Sequence, residues 1–282
     1  VTPQWGRLAG GVVRALADLG RPPVGADLEV RSNLSIGGGL SSSAAFEVAI
    51  SCALIAAADW HLDPTDLALA AQRAEHLGSG VLCGMQDQMT SVHGGVFLLD
   101  CRTLVITPLH LPDELRVVII DSGVARDLES SPWAQRRAES FAAAEALGLR
   151  VLRDATPEQV ADVPRGRHAV HEMQRVWAFA DAMQAGAVDA LGPLMLASHA
   201  SSRDDMECSI PALDQLVDCL IDAGAIGARL TGGGFGGCCV ALVSAGNADA
   251  IADAAADDYR ARTGNTPAVI IARAAPGVSE IA

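Results

Sequence analysis

Ile36-Gly37-Gly38-Gly39-Leu40-Ser41-Ser42-Ser43-Ala44-Ala45 sets three glycines ahead of three serines and an alanine-rich helical segment. Glycine accepts positive φ and carries no side chain, so consecutive backbone N–H groups can converge on one anion. Serines at a helix start add hydroxyls where orphan N–H groups and the helix dipole already favour negative charge. That combination fits a phosphate. A Walker loop is excluded, because it needs a Gly-Lys-Ser/Thr step and the chain contains no lysine. Taken alone, the run reads equally as a phosphate cradle or as an ordinary glycine–serine loop.

Outward from this run, helical and strand patterns alternate. Upstream, residues 5–19 read as a helix with Val12, Val13, Leu16 and Leu19 on one side. Gly20-Arg21-Pro22-Pro23 stops it, and residues 26–32 alternate like a strand. Downstream, residues 41–58 form a helix apolar on all sides, which predicts burial. Asp63-Pro64 opens a third helix over residues 65–77, ending before Gly78. Residues 94–100 and 104–108 make a hairpin pattern. Residues 115–121 read as a buried strand, and the domain boundary is placed just before it, giving domains over 1–113 and 114–282. Beyond it, helices are expected at 133–147, 168–185, 188–202, 211–223 and 249–262. A second glycine run, Thr231 to Gly237, leads into a core strand ending at Val243, and a last strand covers 268–272. Strands and helices without a regular βαβ rhythm indicate α+β rather than a doubly wound sheet.

Half of the 282 residues are hydrophobic and 19% are charged, a globular composition with ample core. The net charge of −14 and pI near 4.8 argue against nucleic-acid and anionic-membrane partners, whose affinity comes from Lys/Arg patches. A bound nucleotide answers to local amides and a metal ion, so it is not excluded. Seven scattered cysteines show no ligand-like spacing and fit reduced thiols in a cytoplasmic protein. His168 and His171 lie one turn apart without a third ligand near in sequence, and read as surface or capping residues. The longest apolar stretch, residues 44–58, is too short to span a bilayer and contains Glu47. No secretory signal is visible.

Gly80-Val81-Leu82-Cys83-Gly84-Met85-Gln86-Asp87-Gln88 places one carboxylate in a loop between a helix and the hairpin, with Glu75 twelve residues before Asp87. A lone loop aspartate is ordinarily a turn or capping residue. Here a phosphate-type loop and a second acid accompany it. Phosphoryl transfer needs an amide cradle, a metal on oxygen ligands and a group orienting the attacking hydroxyl. Ser42 or Ser43 with Glu75 supplies donors suited to Mg2+, and Asp87 a group to orient or accept the hydroxyl proton.

This set resembles the galactokinase branch of the GHMP small-molecule kinases along nearly the whole chain. Residues 36–45 resemble the family's phosphate loop. Ala74-Glu75-His76 with Cys83-Gly84-Met85-Gln86-Asp87-Gln88 is similar to its metal-ligand helix and catalytic-aspartate segment, and residues 229–238 to its third motif. Arg136-Arg137-Ala138-Glu139 and residues 198–205 also resemble galactokinase stretches. The resemblance implies a two-lobed α+β fold with the active site in the cleft, an N-terminal lobe incomplete at its start and a ferredoxin-like C-terminal lobe. It assigns Gly37, Gly38, Gly39, Leu40, Ser41, Ser42 and Ser43 to ATP phosphates, Ser42 and Glu75 to Mg2+, and Trp5 to adenine. Asp87 is the implied catalytic residue, with Gly84 and Trp133 also at the sugar.

Three departures qualify it. The family's opening motif, roughly Gly-Arg-Val-Asn-Leu-Ile-Gly-Glu-His-Thr-Asp, is not in this sequence, and Val1 aligns downstream of it. Trp133 stands where the family has a tyrosine, and Arg126 where it commonly has a histidine. The expected activity is ATP-dependent phosphorylation of galactose at its anomeric hydroxyl by a cytoplasmic enzyme, a monomer when complete. Alternatives are a kinase for arabinose, a uronic acid or an N-acetylhexosamine, a non-catalytic sensor, or a kinase fragment prone to self-association.

Overall fold

The computed structural model describes residues 3–34, 40–125 and 132–280. They form two compact units. One takes the described residues up to Pro108 together with residues 274–280, and the other runs from Leu109 to Arg273. The division falls earlier than residue 114, and the tail belongs to the first unit rather than the second.

The first unit holds α1 Gln4–Asp18, α2 Ser42–Ala57, α3 Pro64–Ser79 and α4 Gln86–His93, followed by the hairpin of β1 Val96–Asp100 and β2 Val105–Leu109. Buried Val12, Ala15 and Leu16 of α1 pack with Ile50 and Leu54 of α2 and with Ala70 and Ala74 of α3. A second cluster joins Val48, Leu67, Ala68 and Ala71 to Met89 and Val92 of α4. Helices α1 and α3 meet backbone to backbone. A Cβ on Gly11 would lie 2.2 Å from the Ala74 carbonyl oxygen, and one on Gly78 would lie 2.8 Å from the Leu8 Cα. Gly78 is therefore a packing glycine, not the expected stop; α3 runs through it and ends at Gly80 in a left-handed cap.

Residues 26–32 form no strand. Their alternation is present, but no neighbouring strand pairs with it among the described residues, and Leu28 and Val30 stay exposed. The tail is held by main-chain bonds: Gly95 N–H donates to Ala275 O at 2.7 Å and Val278 N–H to Ser91 O at 3.0 Å. Gly94, at φ +63°, touches the backbone of Gly277 so closely that no side chain fits between them.

In the second unit, β3 Leu115–Asp121, β4 Gly227–Leu230, β5 Cys238–Ser244 and β6 Ala268–Ala272 form one antiparallel sheet in the order β4-β5-β3-β6. Four helices, α5 Trp133–Ala146, α6 Pro164–Gln184, α7 Val188–Asp204 and α8 Pro211–Asp222, connect β3 to β4; α9 Ala248–Thr263 connects β5 to β6. This is the split βαβ-βαβ, ferredoxin-like arrangement expected of the C-terminal lobe. Val118, Ile120, Ala228, Leu230, Cys239, Ala241 and Val243 turn one sheet face onto Leu213, Leu216 and Leu220 of α8 and Ile251, Ala255 and Tyr259 of α9. The second glycine run is the β4–β5 connection, where Phe235 N–H donates to Cys208 O at 2.8 Å. His168 and His171 stand inside α6, not at its ends; His168 meets Ser201 of α7 at 3.1 Å. All seven cysteines are free thiols. Among the described residues no helix is long and apolar enough to cross a membrane.

Candidate active site

Helix α3 carries Glu75 in its penultimate turn, one residue after the Ala74 that Gly11 touches. The α1–α3 contact therefore fixes where this carboxylate stands. Ser43, in the first turn of α2, donates its hydroxyl to Glu75 Oε1 at 2.9 Å. Gln88 of α4 donates from Nε2 to Glu75 Oε2 at 2.8 Å and to Glu47 Oε2 of α2 at 3.4 Å. The Cys83 thiol donates to Glu75 Oε2 at 3.5 Å. Gln72 and His76 of α3 both reach the Cys83 carbonyl, at 3.1 and 3.0 Å, so the segment before α4 is tied along α3.

Asp87 sits in the first turn of α4, not in a loop. Only Met89 and Val92 give this short helix an apolar side, so its period is too brief to read from the sequence. Asp87 is exposed while its neighbour Gln88 is fully buried. One step along the helix turns one side chain to solvent and the next to the core. Gly84 is exposed, and a Cβ there would meet nothing within 4 Å.

Ser41 precedes α2 in a left-handed conformation, φ +56°, and its side chain makes no capping bond. The first N–H groups of α2 thus receive no cap from Ser41. Leu40 and Ser42 are half-buried beside it. The hydroxyl that meets Glu75 is Ser43's. Trp5 is 64% exposed in the first turn of α1 and is not the core residue that a large aromatic usually becomes. Trp133, in the second unit, is partly buried against that unit's core at the start of α5. Gly37, Gly38, Gly39 and Arg126 lie outside the described residues.

Glu47 and Gln88 carry no role in the sequence reading. Glu47 is the sole acidic residue of α2, a helix otherwise nearly apolar on every side, and that alone signals a carboxyl forced inside. Burial, and secondarily the Glu75 charge, pushes Glu47 up to about 9 and the Cys83 thiol up to about 12. Both hold their protons at neutral pH.

The Glu47 shift makes stability depend on pH. An unfolded glutamate titrates near 4.5, so folding takes up a proton between 4.5 and about 9. The stabilisation is complete below that window and is lost as pH rises through it, by at most about 1.4 kcal/mol per pH unit. Metal-free protein should melt lower at pH 8 than at pH 6, and Glu47→Gln should flatten that fall. Parallel melting curves for the two proteins would remove Glu47 as the cause.

The GHMP kinases N terminal domain model matches residues 7–95, and the GHMP kinases C terminal model matches residues 179–261. With the acid–serine cluster inside the first match and β4 and β5 of the ferredoxin-like sheet inside the second, the chain is a GHMP kinase. It is 41% identical over 294 residues to the galactokinase of Chloroflexus aurantiacus, covering 98% of this chain and 75% of that protein. With the galactokinase of Haemophilus influenzae it shares 37% over 298 residues, 99% of this chain and 77% of that one. The solved structure of Lactococcus lactis galactokinase complexed with galactose superposes at TM-score 0.89, with 28% identity, covering 98% of this chain and 76% of that one. This chain belongs to the galactokinases.

Proposed function

We propose that this protein transfers the γ-phosphoryl group of ATP to the anomeric hydroxyl of α-D-galactose. The observation that carries it is the linked set Ser43–Glu75–Gln88, which joins the end of the glycine–serine run to the residue beside Asp87. Asp87, exposed at the start of α4, orients the sugar hydroxyl and takes its proton as that oxygen bonds to the γ-phosphorus and the bond to the leaving ADP oxygen breaks. Gly84 gives the sugar open backbone to approach. Gly37, Gly38, Gly39, Leu40, Ser41 and Ser42 cradle the phosphates, and the exposed Trp5 ring stacks on adenine.

Ser43 Oγ and Glu75 Oε1, 2.9 Å apart, are the hard oxygen donors Mg2+ prefers, and this ion takes few protein ligands and keeps its waters. The residues fit. When bound, Mg2+ supplies charge neutralisation on the β- and γ-phosphates. Since Ser43 is the serine hydrogen-bonded to Glu75, the metal role passes to it from Ser42. Ser43→Ala should raise the magnesium concentration for half-maximal rate roughly tenfold or more, with Ser42→Ala changing it less; the reverse order would return the role to Ser42.

A panel of galactose, arabinose, glucuronic acid and N-acetylgalactosamine with radiolabelled ATP tests the substrate, and product from galactose first is the expected result. Indifference to galactose would end this reading, and magnesium-dependent nucleotide binding without any product would indicate a sensor. The enzyme is proposed to work in the cytoplasm as a monomer, which light scattering of the purified protein checks.

A further inference from the structure

We propose that Gln88 is a positioning residue that locks the Glu75 carboxylate in the orientation used for metal binding, with the buried Glu47 carboxyl holding the Gln88 amide in place. This rests on the metal role given to Glu75 above.

Three helices each contribute one side chain: Glu47 from α2, Glu75 from α3 and Gln88 from α4. Glu47 and Gln88 are both fully buried. A side-chain amide has two N–H donors, and Gln88 directs its nitrogen to Glu75 Oε2 at 2.8 Å and Glu47 Oε2 at 3.4 Å. With the Glu75 carboxylate on one side, the amide cannot flip without turning its own oxygen onto an acceptor. Its orientation is thereby set.

The result for Glu75 is asymmetric. Oε2 is tied to Gln88 and also receives the Cys83 thiol at 3.5 Å, while Oε1 faces the Ser43 hydroxyl. The carboxylate cannot rotate about its terminal bond without breaking the Gln88 bond. One oxygen is thus held back and the other is presented together with Ser43.

This arrangement carries a cost. Glu47 Oε1 and Gln88 Oε1 are buried without a hydrogen-bond partner, so each has given up its hydration without a replacement bond. Apolar side chains in the same space would avoid it. A core that only had to be stable has no use for this pair. A site that must aim a carboxylate does, since partners behind metal ligands set ligand orientation and typically change metal affinity about 10–100-fold.

The test replaces Gln88 by Met, which keeps the length of the side chain and removes the amide donor. Binding of Mn2+ to the enzyme–ADP complex is followed by the electron paramagnetic resonance signal of free Mn2+, and galactose affinity is measured in parallel. Mn2+ affinity should fall roughly 10–100-fold, with galactose affinity within about twofold of the parent. Loss of both affinities in equal measure would mean general structural damage and would overturn the proposal. So would an unchanged Mn2+ titration in a folded variant, while the metal role of Glu75 would stand. If the parent protein itself binds ADP without metal dependence, that role fails and the proposal with it. Should Gln88→Met not fold, Gln88→Asn, which draws the amide back by one methylene, carries the same test with the same expected separation of metal and sugar affinities.

Discussion

Replacing Asp87 by alanine is expected to lower kcat by about 10²–10⁴-fold, the usual worth of a positioned acid–base group, with nucleotide affinity nearly unchanged. The fold makes this a clean substitution. Asp87 is exposed in the first turn of α4, so truncating it opens no cavity. The loss to stability should be limited to the favourable interaction of an acid with a helix N-terminus, roughly 0.3–1 kcal/mol. Asp87→Asn keeps the size and removes the basic oxygen, so it should fail almost as badly as alanine if proton acceptance is the function. Steady-state kinetics with a coupled ADP assay, beside a thermal melt, separate the two effects. Normal turnover in a folded Asp87→Ala enzyme would move the catalytic role elsewhere.

Gly11→Ala should destabilise the protein by roughly 1–3 kcal/mol, the scale of overpacking, while Gly10→Ala should stabilise it by about 0.5–1 kcal/mol. The two glycines are neighbours in α1 and share its helical backbone, so propensity alone would make both substitutions favourable. Their surroundings reverse one sign. A Cβ on Gly10 meets nothing within 4 Å, whereas one on Gly11 would stand 2.2 Å from the Ala74 carbonyl oxygen. To admit the methyl group, α1 and α3 must separate, and Glu75 is the next residue after Ala74. Gly11→Ala should therefore also weaken magnesium-dependent nucleotide binding, although Gly11 has no side chain to bind either ligand. Urea denaturation of both variants checks the first claim. Equal shifts of the same sign would show that the close crossing of the two helices has no energetic weight.

Most elements were legible because their periods are long or their punctuation is strong. Residues 268–272 form a strand with the bounds expected, and the helix after Asp63-Pro64 begins at Pro64, as its proline requires. Three misreadings have definite causes. Gly78 looked like a helix end, but a glycine also serves where two backbones touch, and only the partner helix reveals which. Residues 26–32 alternate as a strand does, yet alternation makes a strand only where another pairs with it. Asp87 looked like a loop residue because the eight-residue α4 offers too few apolar positions to establish a period.

At the site, the motif residues Ser43, Glu75 and Asp87 could be nominated from residue type and spacing. What links the first two to Gln88 could not. Gln88 and Glu47 are separated by 41 positions, and a hydrogen bond at that distance along the chain leaves no local trace. The one clue was an acid on an otherwise apolar helix.

The return of residues 274–280 to the first unit fixes an order of assembly on the ribosome. All of the second unit, Leu109 to Arg273, is translated before the segment that bonds to Ser91 and Gly95 emerges. The unit begun first is therefore completed last, and a chain ended after residue 273 and released from the ribosome would hold every strand of the four-stranded sheet while the first unit still lacked its final backbone contacts.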